Sequence, residues 1–135
     1  MEWNKEYSVG ITEIDEHHQL MMKGFNDIEE SMKSSQSWST THYAVVKLTQ
    51  LARMHFSVEE SMMRMFAYPD FELHRMEHQF FFEKLDNIEK MLLNKTTEIE
   101  LVQSLKNWLK THILDSDRVY VEHILSGAQV VKAAA

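Results

Sequence analysis

The sequence predicts an all-α protein, an antiparallel up-down-up-down four-helix bundle with an extended N-terminal arm. Three observations predict it. The chain has only three Gly and one Pro in 135 residues, and Ala, Leu, Met, Glu, Lys and Gln are plentiful, a composition that favours helices. Apolar residues recur at steps of three and four in four separate stretches. Short loops join those stretches, so consecutive helices must pack antiparallel. The whole chain, 1–135, reads as one domain with an arm at 1–11, a bundle over 12–126 and a tail over 127–135.

The arm lacks a helical period, and Trp3, Tyr7, Val9 and Ile11 are positioned to pack against the body. Thr12 and Asp15 have capping-box spacing, with Thr12 as the expected N-cap. The first helix should run to about Lys33, with the seam Ile14, His18, Met21, Phe25, Ile28 and Met32. A Ser/Thr-rich loop around Trp38 follows. The second helix is expected from about Thr41 to Phe66, with the seam Ala44, Leu48, Leu51, His55, Val58/Glu59, Met62 and Met65/Phe66. Met54, Met62, Met63 and Met65 read as adaptable core. Pro69 breaks the pattern, and Asp70 is the expected N-cap of the next helix. The third helix spans about Phe71 to Leu93, with the seam Phe71, His74, His78, Phe81, Leu85, Ile88 and Leu92. Asn94-Lys95-Thr96 makes a turn, and Thr97 with Glu100 forms a second capping box. The fourth seam is Val102, Leu105, Leu109 and His112, continuing weakly to about Leu125.

Composition also excludes several functions. A formal net charge of -7 argues against nucleic acid and anionic membranes as partners. There is no cysteine, which removes disulfides, thiolate metal sites and a cysteine nucleophile. No signal peptide or membrane-spanning run is visible, so a cytoplasmic protein without membrane insertion is expected. The four seams account for most apolar residues, and a monomer is expected.

The informative stretch is Met54 to His78. It places His55 and Glu59 four residues apart, then, after the break, His74 and His78 four residues apart. Residues i and i+4 share a helix face. Five of the eight histidines, His18, His55, His74, His78 and His112, fall in the apolar seams, and every helix supplies at least one. A single seam histidine is usually an ordinary hydrogen-bonded core residue. Five unpartnered ones would each cost on the order of 1–3 kcal/mol, in a domain stable by only about 5–15 kcal/mol. Metal coordination resolves the conflict. His17, His42 and His123 lie off the seams and read as solvated.

A carboxylate after His112 would complete the set. Asp117 is five residues on, a spacing that rotates a side chain about 140° away on a regular helix. To point inward, Asp117 needs a π-bulge or a change of helix direction. Asp115 and Ser116 compete for that position. Five histidines and two carboxylates are too many ligands for one ion. Two octahedral ions offer about twelve sites. Five imidazoles, two bridging carboxylates and one bridging oxo or hydroxo group leave a single vacancy, suited to one small ligand. No histidine is preceded three residues earlier by Glu, unlike the Glu-x-x-His pairs of carboxylate-rich di-iron bundles.

Several motifs carry a family resemblance. They are Ile14-Asp15-Glu16-His17-His18, His55-Phe56-Ser57-Val58-Glu59-Glu60, His74-Arg75-Met76-Glu77-His78, and Trp108 through Asp117 with Tyr120 beyond. Together with the Trp3…Tyr7…Val9-Gly10-Ile11 arm, they resemble the hemerythrins, specifically the single-domain bacteriohemerythrins, over essentially the whole chain. The resemblance implies two non-haem iron ions, Fe2+ or Fe3+, joined by an oxo or hydroxo bridge. His74, His78 and His112 would hold one ion. His18 and His55 would hold the other, and Glu59 and Asp117 would bridge them, which settles Asp117 over Asp115. It further implies reversible binding of dioxygen, end-on as a hydroperoxide at the open iron, with Leu109 and Ile113 lining the oxygen pocket. Asp15, Glu60, Glu77 and Asp115 are candidates to orient the ligating histidines. Trp108 and Tyr120 would pack around the site.

The expected role is oxygen storage, delivery to an oxygen-using enzyme, or scavenging, with no enzymatic turnover. The competing readings are an oxygen- or redox-sensing domain of a larger signalling protein, a di-iron centre that reacts with peroxide or nitric oxide, and a structural bundle closed on zinc.

Overall fold

The computed structural model describes residues 3–34, 37–96 and 98–134. A 3-10 turn, Lys5–Tyr7, interrupts the arm. Then follow α1 (Thr12–Lys33), α2 (Trp38–Met65), α3 (Phe71–Leu93) and α4 (Ile99–His112). A π-helical turn, Ile113–Asp117, links α4 to α5 (Arg118–Ala134) without the backbone leaving the right-handed helical region. α1 packs on α2, α2 on α3, α3 on α4, and α4 back on α1, so the last two helices and the π turn form the fourth rod of an antiparallel bundle. Among the described residues there is no strand, and no helix is long and apolar enough to cross a membrane.

Each rod buries one stripe. Ile14, Met21, Phe25 and Ile28 come from α1, and Phe81, Leu85, Ile88 and Leu92 from α3. Val102, Leu105 and Leu109 come from α4, and Ile113, Tyr120, Val121 and Ile124 complete the fourth rod. Those of α1, α3 and α4 match the expected seams; beyond His112 the sequence named no seam positions, and Leu125 is exposed. On α2 the stripe is turned by about a residue: Val45, Leu48, Ala52, Phe56 and Met63 are buried, while Ala44, Leu51, Val58 and Met62 lie at its flank and Met65 is 80% exposed. Leu48, His55 and Glu59 of the expected seam are nevertheless buried along this 28-residue helix. The methionines expected as core divide accordingly, since only Met63 is buried and Met54 is exposed. Gly24 lets α1 and α2 approach closely; a Cβ there would meet Leu48 Cδ1 at 3.0 Å.

Three expectations at chain and helix ends need correction: the cap of α1, the start of α2 and the tail. Thr12 does not cap α1. The N-cap is Ile11, without a side-chain cap bond, and Asp15 turns back to the arm. Its carboxylate accepts from Ser8 Oγ at 2.6 Å and Val9 N–H at 2.8 Å. This holds the arm, through Gly10 at φ +93°, against the body, where Tyr7 and Val9 are buried. α2 begins earlier than expected, because the Ser37 hydroxyl accepts from Thr40 N–H at 3.2 Å and Trp38 becomes the first helical residue. The break comes ahead of Pro69, whose ring disfavours helical backbone at Tyr68. Ala67 takes φ +51°, and the N–H groups of Tyr68 and Ala67 close on the carbonyls of Met63 and Arg64 at 2.9 and 3.2 Å, a Schellman motif. Asp70 precedes α3 as expected but makes no side-chain cap bond. Lys95, at φ +55°, closes α3 in the same way. Thr97 of the second capping box lies outside the described residues. α5 continues past Gly127 to Ala134, where a tail was expected.

Candidate metal centre

The seams bring His18, His55, His74, His78 and His112 to one level of the bundle with Glu59 and Asp117. All seven are at most 3% exposed. The π turn accounts for Asp117. Five residues of π helix complete the rotation that an α-helix makes in fewer, so Asp117 returns to the face of His112. Their contact is 3.0 Å, from Nε2 to Oδ1. Asp115 is exposed, and Ser116 points outward to Glu77 Oε1 at 2.9 Å.

Asp117 spans the cluster. Its Oδ1 lies 3.0 Å from His74 Nε2 as well as from His112 Nε2, and its Oδ2 lies 3.1 Å from His18 Nε2. Glu59 does the same with one oxygen, Oε1 being 3.2 Å from His55 Nε2 and 3.3 Å from His78 Nε2. Potential ligand atoms therefore fall into two groups. One is Glu59, His74, His78, His112 and Asp117; the other is His18, His55, Glu59 and Asp117. Both carboxylates belong to both groups. The five Nε2 atoms, Glu59 Oε1 and both Asp117 oxygens are buried without a hydrogen-bond partner. So many converging orphan atoms of nitrogen and oxygen type fit two cations.

The surroundings orient the rings. His78 Nδ1 meets Glu60 Oε2 at 2.9 Å, and His112 Nδ1 faces Glu77 Oε1 at 3.7 Å. Phe56 stacks on His78 with centroids 3.8 Å apart, and Trp108 stacks on His112 at 4.9 Å. Of the carboxylates expected to orient histidines, Glu60 does so, Glu77 stands 3.7 Å from His112 Nδ1, Asp115 is exposed and Asp15 serves the arm. Tyr120 does more than pack, because its hydroxyl donates to Glu59 Oε2. Burial, reinforced by the charges of Glu59 and Asp117, raises the phenol far above its ordinary range and keeps it a donor.

His17 was expected to be solvated. It is half-buried, with its Nδ1 3.0 Å from His55 Nδ1. Burial and the neighbouring His55 lower its pKa, so it is neutral. His42 and His123 are half-buried too, and His123 Nε2 donates to the Phe66 carbonyl at 2.8 Å. No periodicity marks these three, because flank positions at a helix–helix interface carry either polar or apolar residues.

In the metal-free cluster the charges pair. Burial pushes His112 down, but the Asp117 carboxylate against its Nε2, helped by the nearby Glu77 carboxylate, overcomes it and raises its pKa to about 10. Burial likewise opposes ionisation of Asp117 and Glu59, yet the surrounding imidazoles hold both carboxyls below the usual range.

Residues 9–124 match the family model described as the hemerythrin HHE cation binding domain. The chain belongs to the hemerythrin family. It is 29% identical to the bacteriohemerythrin of Clostridium acetobutylicum over 126 residues, 89% of this chain and 98% of that one. It is also 29% identical to the myohemerythrin of Theromyzon tessulatum, over 88% of this chain and 89% of the relative. A crystal structure of wild-type hemerythrin superposes with a TM-score of 0.82 at 22% identity, covering 92% of this chain and 97% of that one, so the hemerythrin bundle is shared. Leu109 and Ile113, on the turns either side of His112, are fully buried in this hemerythrin fold.

Proposed function

We propose that this chain binds dioxygen reversibly at a non-haem di-iron centre, for storage, delivery or scavenging. His74, His78 and His112 hold one iron, His18 and His55 hold the other, and Glu59 and Asp117 bridge them. One observation carries the reading: two groups of ligand atoms share both carboxylates but differ by one histidine. An octahedral ion in the two-histidine group, completed by the bridging oxygen, is one protein ligand short.

Two ferrous ions held there would each supply one electron to bound dioxygen and take it back when dioxygen leaves. The chain's own residues do the rest. Tyr120 fixes Glu59 by donating to Oε2, which leaves Oε1 toward His55 and His78. Glu60 fixes the His78 ring through Nδ1. Leu109 and Ile113 line the ligand position and keep water from it, which suits binding and release over net oxidation.

The test is the visible spectrum of iron-loaded, anaerobically reduced protein, with iron counted on the same sample. Two irons per chain, colour on exposure to air and bleaching under vacuum are the expected results. A colourless zinc protein would overturn the reading.

A further inference from the structure

We infer that His17 is a positioning residue of the metal centre, whose Nδ1 accepts the Nδ1–H of His55 and so holds that imidazole with its Nε2 lone pair facing the two-histidine ion. The inference rests on the di-iron reading above and adds a residue to it.

The argument follows from counting protons. The two Nδ1 atoms are 3.0 Å apart, with the rings edge to face at 88°. At that distance one nitrogen carries a proton and the other receives it. His55 directs Nε2 into the cluster, 3.2 Å from Glu59 Oε1 and without a hydrogen-bond partner. An imidazole that binds a metal through Nε2 carries its proton on Nδ1. His55 is therefore the donor and His17 the acceptor. His17 in turn keeps its own proton on Nε2, which faces Glu13 Oε1 at 4.0 Å.

The placement is specific to one side of the centre. On the three-histidine side His78 Nδ1 meets the Glu60 carboxylate at 2.9 Å, while His112 Nδ1 faces Glu77 at 3.7 Å, beyond hydrogen-bond distance. His55 on the two-histidine side faces a neutral ring, and His18 Nδ1 has no hydrogen-bond partner. A carboxylate behind an imidazole makes it a stronger donor to its metal. The three-histidine ion therefore has one ligand, His78, made more strongly donating. The ion that leaves a place for dioxygen has a histidine oriented without added negative charge.

Two variants and one spectrum test this. His17→Leu removes the acceptor, and His17→Gln restores one through its side-chain carbonyl. Ferrous affinity is read anaerobically against a competing chelator, and folding of each metal-free variant is checked by circular dichroism. Loss of such an orienting partner typically weakens a metal by about 10–100-fold. The expected result is that loss in His17→Leu for the second ion alone, with near wild-type affinity in His17→Gln. In the zinc-loaded wild-type protein, nitrogen NMR should show a protonated Nδ1 on His55 and a bare Nδ1 on His17. If His17→Leu takes up both ions as the wild type does, if Gln does not rescue it, or if His17 Nδ1 carries the proton, the inference is wrong. The spectrum decides alone if the Leu variant does not fold. A wild-type protein that takes up fewer than two ions defeats the di-iron reading itself.

Discussion

Tyr120 and Glu59 show how single side chains set the centre's tolerance to change. The Tyr120 hydroxyl is a buried donor to a buried carboxylate. Removing it in Tyr120→Phe leaves Glu59 Oε2 without that donor, and a hydrogen bond to a charged group is worth about 1.5–3 kcal/mol. Urea unfolding of the metal-free variant should show a loss of that size. Leu109 belongs to another class, since it carries no polar group and is fully buried. Leu109→Asn admits water beside the open position, and autoxidation of the oxygenated protein should quicken by about tenfold, equivalent to ~1.4 kcal/mol. Decay of the visible band in air measures it, and an unchanged rate would remove Leu109 from the pocket. At this scale the inward histidines were legible because each interrupts an apolar seam. Asp117 was not legible from spacing alone, since the choice between it and Asp115 depends on a backbone irregularity. His17 was hidden because a residue one position from a seam carries no periodic signal.

Among the elements, the π turn does most for the site. A regular helix through Ile113–Asp117 would turn Asp117 away from His112 and remove one of the two carboxylates that touch imidazoles on both sides. The sequence stated this as a condition, that an inward Asp117 requires an over-wide turn, and the turn is present. α3 was legible end to end, its Phe71–Leu93 span agreeing with the expected range, because Pro69 and the Asn94-Lys95-Thr96 turn bracket it. The start of α2 was misjudged because Ser and Thr recur there and any of several can cap, and the cap of α1 because Asp15 is drawn to the arm. Two helix ends also carry a removable cost. Ala67 and Lys95 occupy left-handed backbone in closing turns, at about 1–2 kcal/mol each for a residue with a Cβ. Glycine relieves that cost but frees the unfolded chain by about 0.4–1 kcal/mol. Lys95→Gly should therefore stabilise the protein by roughly 0.5–1 kcal/mol, read as a higher urea midpoint with unchanged slope. A lower midpoint would mean that the Lys95 side chain contributes more than its backbone costs.

For the molecule as a whole, the centre sets how stability responds to pH. His78 and His112 have raised pKa values in the metal-free fold, His112 to about 10 from an ordinary 6.5. Their stabilisation is complete below 6.5 and is lost as pH rises through their raised values, about 10 for His112. Glu59 and Asp117 are depressed from ordinary values of 4.5 and 3.8. Their contribution is present above those values and is lost as pH falls below them. Metal-free protein should therefore be most stable between about pH 4.5 and 6.5 and lose stability toward pH 10. Metal uptake should strengthen over the same alkaline range, because ligating imidazoles must be free of protons. Urea midpoints at several pH values, with and without metal, would separate the two trends; parallel trends would contradict the charge pairing.

The central claim is that two irons share Glu59 and Asp117 while one of them lacks a protein ligand. Diffraction from iron-loaded crystals at the iron absorption edge tests it most directly. The account predicts two anomalous peaks, one bounded by His74, His78 and His112 and the other by His18 and His55. The open coordination position should lie on the second, toward Leu109 and Ile113. A single peak, or two peaks with equal and complete sets of protein ligands, would contradict it.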